Sequence, residues 1–93
     1  MLSRTILGED RRSRILFPRE GMIFYREGST AEDNQGIPGW IAVAPSDRIT
    51  LRLNGRMLQP DDPARPLLPV QPGRYRLAVE GRFGEDSVIY SVR

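Results

Sequence analysis

The sequence predicts an all-β fold, an immunoglobulin-like antiparallel β-sandwich of about seven strands, and three observations predict it. Apolar and polar residues alternate at Arg48-Ile49-Thr50-Leu51-Arg52-Leu53, at Arg74-Tyr75-Arg76-Leu77-Ala78-Val79-Glu80 and at Ser87-Val88-Ile89-Tyr90-Ser91-Val92, the period of half-buried strands. Eight prolines and nine glycines punctuate the 93 residues, supplying the turns such a fold needs. No segment repeats apolar residues at i, i+3, i+4 and i+7 for long enough to build a stable helix.

Each element follows from local chemistry. Two apolar bursts, Ile15-Leu16-Phe17 and Met22-Ile23-Phe24-Tyr25, flank Pro18-Arg19-Glu20-Gly21. Pro18 has no N–H for a ladder and Gly21 tolerates an excursion, so the break reads as a first strand switching sheets, with Pro18 and two charges on an exposed edge. Trp40-Ile41-Ala42-Val43-Ala44, apolar throughout and bounded by Pro38-Gly39 and Pro45-Ser46-Asp47, reads as a buried strand. Asn54-Gly55 favours the positive φ angles of a type I′ turn, so Arg56-Met57-Leu58 is expected to return antiparallel to the strand before it. Pro60, Pro63, Pro66, Pro69 and Pro72 read as a covering loop with a short edge strand at Leu67-Leu68, in preference to a polyproline helix. Tyr75, at the start of the penultimate strand, stands where a tyrosine corner turns its hydroxyl back onto the backbone. Leu77 and Val79 are expected inward on that strand. Gly81-Arg82-Phe83-Gly84 suits a tight connection to a last strand with Val88, Tyr90 and Val92 inward.

Composition excludes several function classes. The chain has no Cys, His or Lys, so the common transition-metal ligand sets, disulfides and the usual nucleophile-and-base pairs are all missing. No enzyme, metal or cofactor is expected. All 14 basic residues are Arg. Arg4, Arg11, Arg12 and Arg14 face only Glu9 and Asp10 near the N-terminus, whereas ten Arg balance ten acids over residues 15–93. Residues 1–13 therefore read as a flexible linker and 14–93 as the domain, with no basic stripe for nucleic acid. No apolar run approaches the roughly 20 residues of a membrane span, and Gly8-Glu9-Asp10-Arg11 interrupts any signal-peptide core. Membrane insertion by this chain is not expected.

Two groups of side chains are candidates for a binding surface. Trp40, Tyr25 and Tyr90 could together form a stacking platform for a sugar ring; the competing and favoured reading makes Trp40 a core anchor. Arg52, Arg74 and Arg76 fall on outward strand positions, placed either to grip acidic partners or, as favoured, to pair with acids across the strands. Glu32-Asp33-Asn34 misses the calcium-loop spacing and reads as a solvated loop. Asp61-Asp62 and Glu85-Asp86 are adjacent residues whose side chains diverge, which suits turns better than paired acid catalysis.

Four motifs stand in order along the chain: Ile15-Leu16-Phe17-Pro18-Arg19-Glu20-Gly21-Met22, Gln35-Gly36-Ile37-Pro38, Leu53-Asn54-Gly55-Arg56-Met57-Leu58 and Pro72-Gly73-Arg74-Tyr75-Arg76-Leu77. With them, residues 14–93 resemble the C-terminal module of bifunctional class A penicillin-binding proteins of the C subtype. Leu51, Leu53 and Leu67 to Val70 depart from the aromatics such modules often carry. Gly39-Trp40 looks like an insertion, with Trp40 refilling the core. The resemblance implies an immunoglobulin-like, non-catalytic module that follows glycosyltransferase and transpeptidase domains in a membrane-anchored peptidoglycan synthase, exposed to the periplasm. No Ser-x-x-Lys is present, so penicillin binding does not carry over. Docking to periplasmic or cell-wall proteins, or to the synthase's own catalytic domains, is the function implied, with binding of peptidoglycan glycan as the alternative.

Overall fold

The alternation of β8 (Gly73–Gly81) and β9 (Gly84–Val92) organises the domain. Leu77 and Val79 of the first, and Val88, Tyr90 and Val92 of the second, are buried on one side, so the opposite side of both strands faces solvent. The computed structural model describes residues 12–25 and 36–93. The other strands are β1 (Arg14–Phe17), β2 (Ile23–Phe24), β3 (Ile37–Pro38), β4 (Trp40–Ala42), β5 (Thr50–Leu53), β6 (Arg56–Leu58) and β7 (Leu67–Leu68), and no helix occurs among the described residues.

The large sheet has the order β2-β9-β8-β5-β6. Asn54 at φ 52° and Gly55 at φ 85° make the expected turn between β5 and β6. Asn54 is also tied to β8: its N–H donates to the Arg76 carbonyl and its Oδ1 accepts the Arg76 N–H, both at 2.9 Å. The Tyr75 hydroxyl donates to the Gln71 carbonyl at 2.8 Å, the tyrosine corner in place.

The facing layer is assembled from short pieces. β1 pairs with β4 and β3 with β7, all antiparallel. Gly39 N–H donates to the Pro66 carbonyl at 2.7 Å and Ile41 N–H to the Ala64 carbonyl at 2.8 Å. These bonds continue the Ile37↔Leu68 register, so β3 and β4 act as one interrupted strand between β1 and the 64–68 segment. The two layers enclose Ile15, Ile37, Ile41, Leu51, Leu68, Leu77, Val79, Val88, Tyr90 and Val92. Edge-to-face contacts link Phe17 to Phe24 and Phe24 to Tyr90, and Tyr75 stacks on Tyr90 with centroids 5.1 Å apart.

The break at residues 18–21 does carry the chain between layers, from β1 beside β4 to β2 beside β9. Three details correct the expectation. β2 runs parallel to β9, so the sandwich is not wholly antiparallel. Pro18 is buried under the crossing instead of exposed at an edge. Glu20 is not a spare charge: its carboxylate accepts the Ile89 N–H at 2.9 Å, while Gly21 N–H donates to the Ile89 carbonyl at 2.8 Å. Side chain and backbone thus complete the β9 edge where β2 stops short.

Trp40 is the largest departure. It is 51% exposed, whereas its neighbour Ile41 is 1% exposed. The small layer has only one covered face; with Ile37 and Ile41 directed into it, Trp40 falls on the other. It neither anchors nor refills the core. At the N-terminal side, Ser13 is buried, donating from its hydroxyl to Asp47 Oδ2 at 2.7 Å and accepting the Ala44 N–H at 2.9 Å. Asp47 Oδ1 accepts the Arg82 N–H at 2.8 Å, so one carboxylate joins the segment before β1 to the β8–β9 turn. Residues 1–11 of the expected linker, and the Glu32-Asp33-Asn34 loop, lie outside the described residues.

Candidate functional site

The described residues contain two solvent-facing sheet surfaces, one on each layer. On the large sheet the register sets Arg52, Ala78 and Ser87 in one row, Thr50, Glu80 and Glu85 in the next, and Arg76 and Ile89 on the other side of Ala78. Small side chains at the centre and long ones around them leave a groove floored by Ala78 and bordered by Arg52, Arg76, Glu80 and Glu85. Arg52 pairs with Glu80, both about half exposed. An exposed pair of this kind contributes roughly 0–1 kcal/mol. Arg74 and Arg76 are exposed, and among the described residues neither has a carboxylate within ion-pair distance. Cross-strand pairing therefore accounts for Arg52 and leaves the other two cations free.

The outer surface of the small layer carries Trp40, with the Arg65 guanidinium 5.0 Å from its ring centroid. Leu67, 59% exposed, lies across from Pro38 on the same layer. Tyr25 is exposed too, but it follows β2 at the edge of the large sheet. Tyr90 is fully buried between Val88 and Val92. The inward phase that puts it in the core removes it from any surface, so a platform of Trp40, Tyr25 and Tyr90 does not form. The Tyr90 hydroxyl has no hydrogen-bond partner among the described residues. Burial, and secondarily the neighbouring Tyr75, push its pKa well above the ordinary tyrosine value.

The carboxylates are mostly engaged with the protein's own backbone. Glu20 holds Ile89; Asp86 accepts the N–H of Ile15 at 2.9 Å and of Ser87 at 3.0 Å; Asp62 accepts the Ala64 N–H at 3.0 Å. Asp62 and Asp86 thus do turn and edge work. Asp47 has its pKa lowered, chiefly by the Arg82 N–H and then by the Ser13 hydroxyl. No group of three or more His, Cys, Asp or Glu side chains among the described residues could hold a metal ion. Sequence reasoning missed Arg65, because a proline-rich loop has no period to reveal a cross-strand neighbour. It also missed the Ser13–Asp47 bond, whose partners are 34 residues apart.

A two-layer β-sandwich with an open face on each layer defines the class of fold before any family is considered. The Penicillin-Binding Protein C-terminus Family matches residues 7–89, and the chain belongs to that family. A solved structure of fibronectin(III)-like modules of Clostridium thermocellum CbhA superposes with a TM-score of 0.61 at 13% identity, covering 88% of this chain and 96% of that one. That likeness is one of fold alone. No curated protein matches the sequence.

Proposed function

We propose that this chain is a non-catalytic accessory module of a bacterial peptidoglycan synthase, exposed to the periplasm as part of a membrane-anchored protein, and that it works by docking to protein. Family membership supports the setting. One observation carries the mode of action: among the described residues Glu20, Asp47, Asp62 and Asp86 are bound to the module's own backbone, while both outer sheet faces present exposed side chains. Such a scaffold holds neighbours in place and transforms nothing. Residues 1–11 would connect it to the catalytic domains.

The test is calorimetric titration of the chain into the glycosyltransferase–transpeptidase portion of a synthase of this family, beside a periplasmic extract depleted of that portion. Saturable heat with either protein sample supports docking. Binding confined to purified glycan strands would overturn it. The glycan reading draws on the exposure of Trp40, but a lone aromatic partly covered by Arg65 offers one stacking face where a platform of Trp40, Tyr25 and Tyr90 would have offered three.

A further inference from the structure

We propose that the outer face of the five-stranded sheet is the docking site, and that its occupant is an extended peptide segment with acidic side chains at alternate positions and a basic one beyond them. This deepens the docking reading and rests on it.

The outward residues of β8 run Arg74, Arg76, Ala78, Glu80. Alternate residues on a strand stand about 6.6–6.8 Å apart. A peptide lying extended along β8 has the same spacing between its own alternate side chains, so two acids separated by one residue meet Arg74 and Arg76 together. Both arginines are exposed and without a carboxylate partner among the described residues, so binding breaks no ion pair there. Guanidinium forks bind carboxylates bidentately, which rewards this register over a slipped one.

The remainder of the face sets polarity. Glu80 and Glu85 are directly opposed across β8 and β9, with Arg52 paired to Glu80 alone. Arg48 also lines that end, so its charges balance, and a ligand's cation is better placed there than beside Arg74 and Arg76. A uniform polyanion, whether nucleic acid or an acidic glycan, is drawn to Arg74 and Arg76 but finds no matching excess of positive charge beyond Ala78. A peptide with acid, acid, small and basic residues at alternate positions matches the whole row. Ala78 and Ser87 keep the middle low enough for a backbone to approach.

The experiment titrates the isotope-labelled chain, at low salt, with acetyl-Glu-Thr-Glu-Thr-Ser-Thr-Lys-amide while following backbone amide resonances. The controls are a peptide of the same composition with its two Glu adjacent, and a heparin oligosaccharide. Saturable shifts at Arg74, Arg76, Ala78 and Ser87 are expected, with the adjacent-Glu peptide at least about tenfold weaker, the loss of one charge-assisted bond. Arg74→Ser with Arg76→Ser should abolish the shifts while leaving the resonances of the buried Leu51 and Leu68 in place. Equal binding of both peptides, equal binding of heparin, shifts centred on Trp40 and Arg65, no saturation at millimolar peptide, or peptide-free shifts that grow with protein concentration would each overturn the assignment. If the doubly substituted chain still binds the synthase's catalytic portion as tightly as the parent, this site is wrong and docking stands. If neither chain binds any protein, the docking reading itself has failed.

Discussion

The two layers of the sandwich differ in how they are held together. The large sheet rests on β8 and β9, nine residues each, whose alternation buries one face and leaves the other polar. The small layer uses strands of two to four residues, and its continuity depends on the Gly39 and Ile41 hydrogen bonds to the proline-rich loop. Long strands specify themselves by pattern. Short ones are specified by what they lie against.

Core truncations apply the strongest test of that contrast. Leu77→Ala, in the large sheet, should cost about 2–5 kcal/mol, and Leu68→Ala, buried in the small layer, should cost a comparable amount. Adjacent Leu67→Ala should cost under about 0.5 kcal/mol, since Leu67 is mostly exposed. Urea unfolding of the three variants measures this. A small loss for Leu68→Ala would mean that the short-stranded layer packs loosely.

Gly81→Ala comes next. A Cβ at position 81 would collide with the Asp47 carboxylate, forcing it away from Arg82 and Ser13. A lowered melting temperature is expected from displacing this bond set. An unchanged melting temperature would show that the junction is dispensable.

Acid titration probes the same junction more gently. Asp47 has a folded pKa below its ordinary value of 3.8, so its contribution to stability is fully present above that value and is lost as pH falls through the lower, folded value. The stability gap between the parent chain and Asp47→Asn should therefore narrow on acidification below the ordinary value. A gap that widens there would reverse the sign and refute the account.

The smallest effect expected is at Tyr90. Its hydroxyl is buried without a partner, so Tyr90→Phe should be neutral or stabilising by up to about 1 kcal/mol. Clear destabilisation would reveal a bonding partner for that oxygen.

The same contrast explains what was legible beforehand. β5, β8 and β9 announced their faces through alternation, Asn54-Gly55 announced its turn, and Tyr75 its corner. β4 did not, because Trp40-Ile41-Ala42-Val43-Ala44 is apolar on both phases and hides which one faces in. The parallel pairing of β2 with β9 left no local trace, since it joins segments far apart in sequence through only Ile23 and Phe24. The candidate surface was half readable. The period places Arg52, Arg74 and Arg76 on an outward face, but only the paired geometry separates the occupied Arg52 from the two cations without a carboxylate partner among the described residues.

Trp40 fluorescence offers the most direct measurement of the central claim, because the chain's single Trp stands on the face a glycan would use and away from the one assigned to protein. Titration with purified peptidoglycan fragments should leave its emission unchanged. A saturable shift, with calorimetric binding of the same fragments lost in Trp40→Ala, would contradict a protein-docking module and make this sandwich a reader of glycan strands.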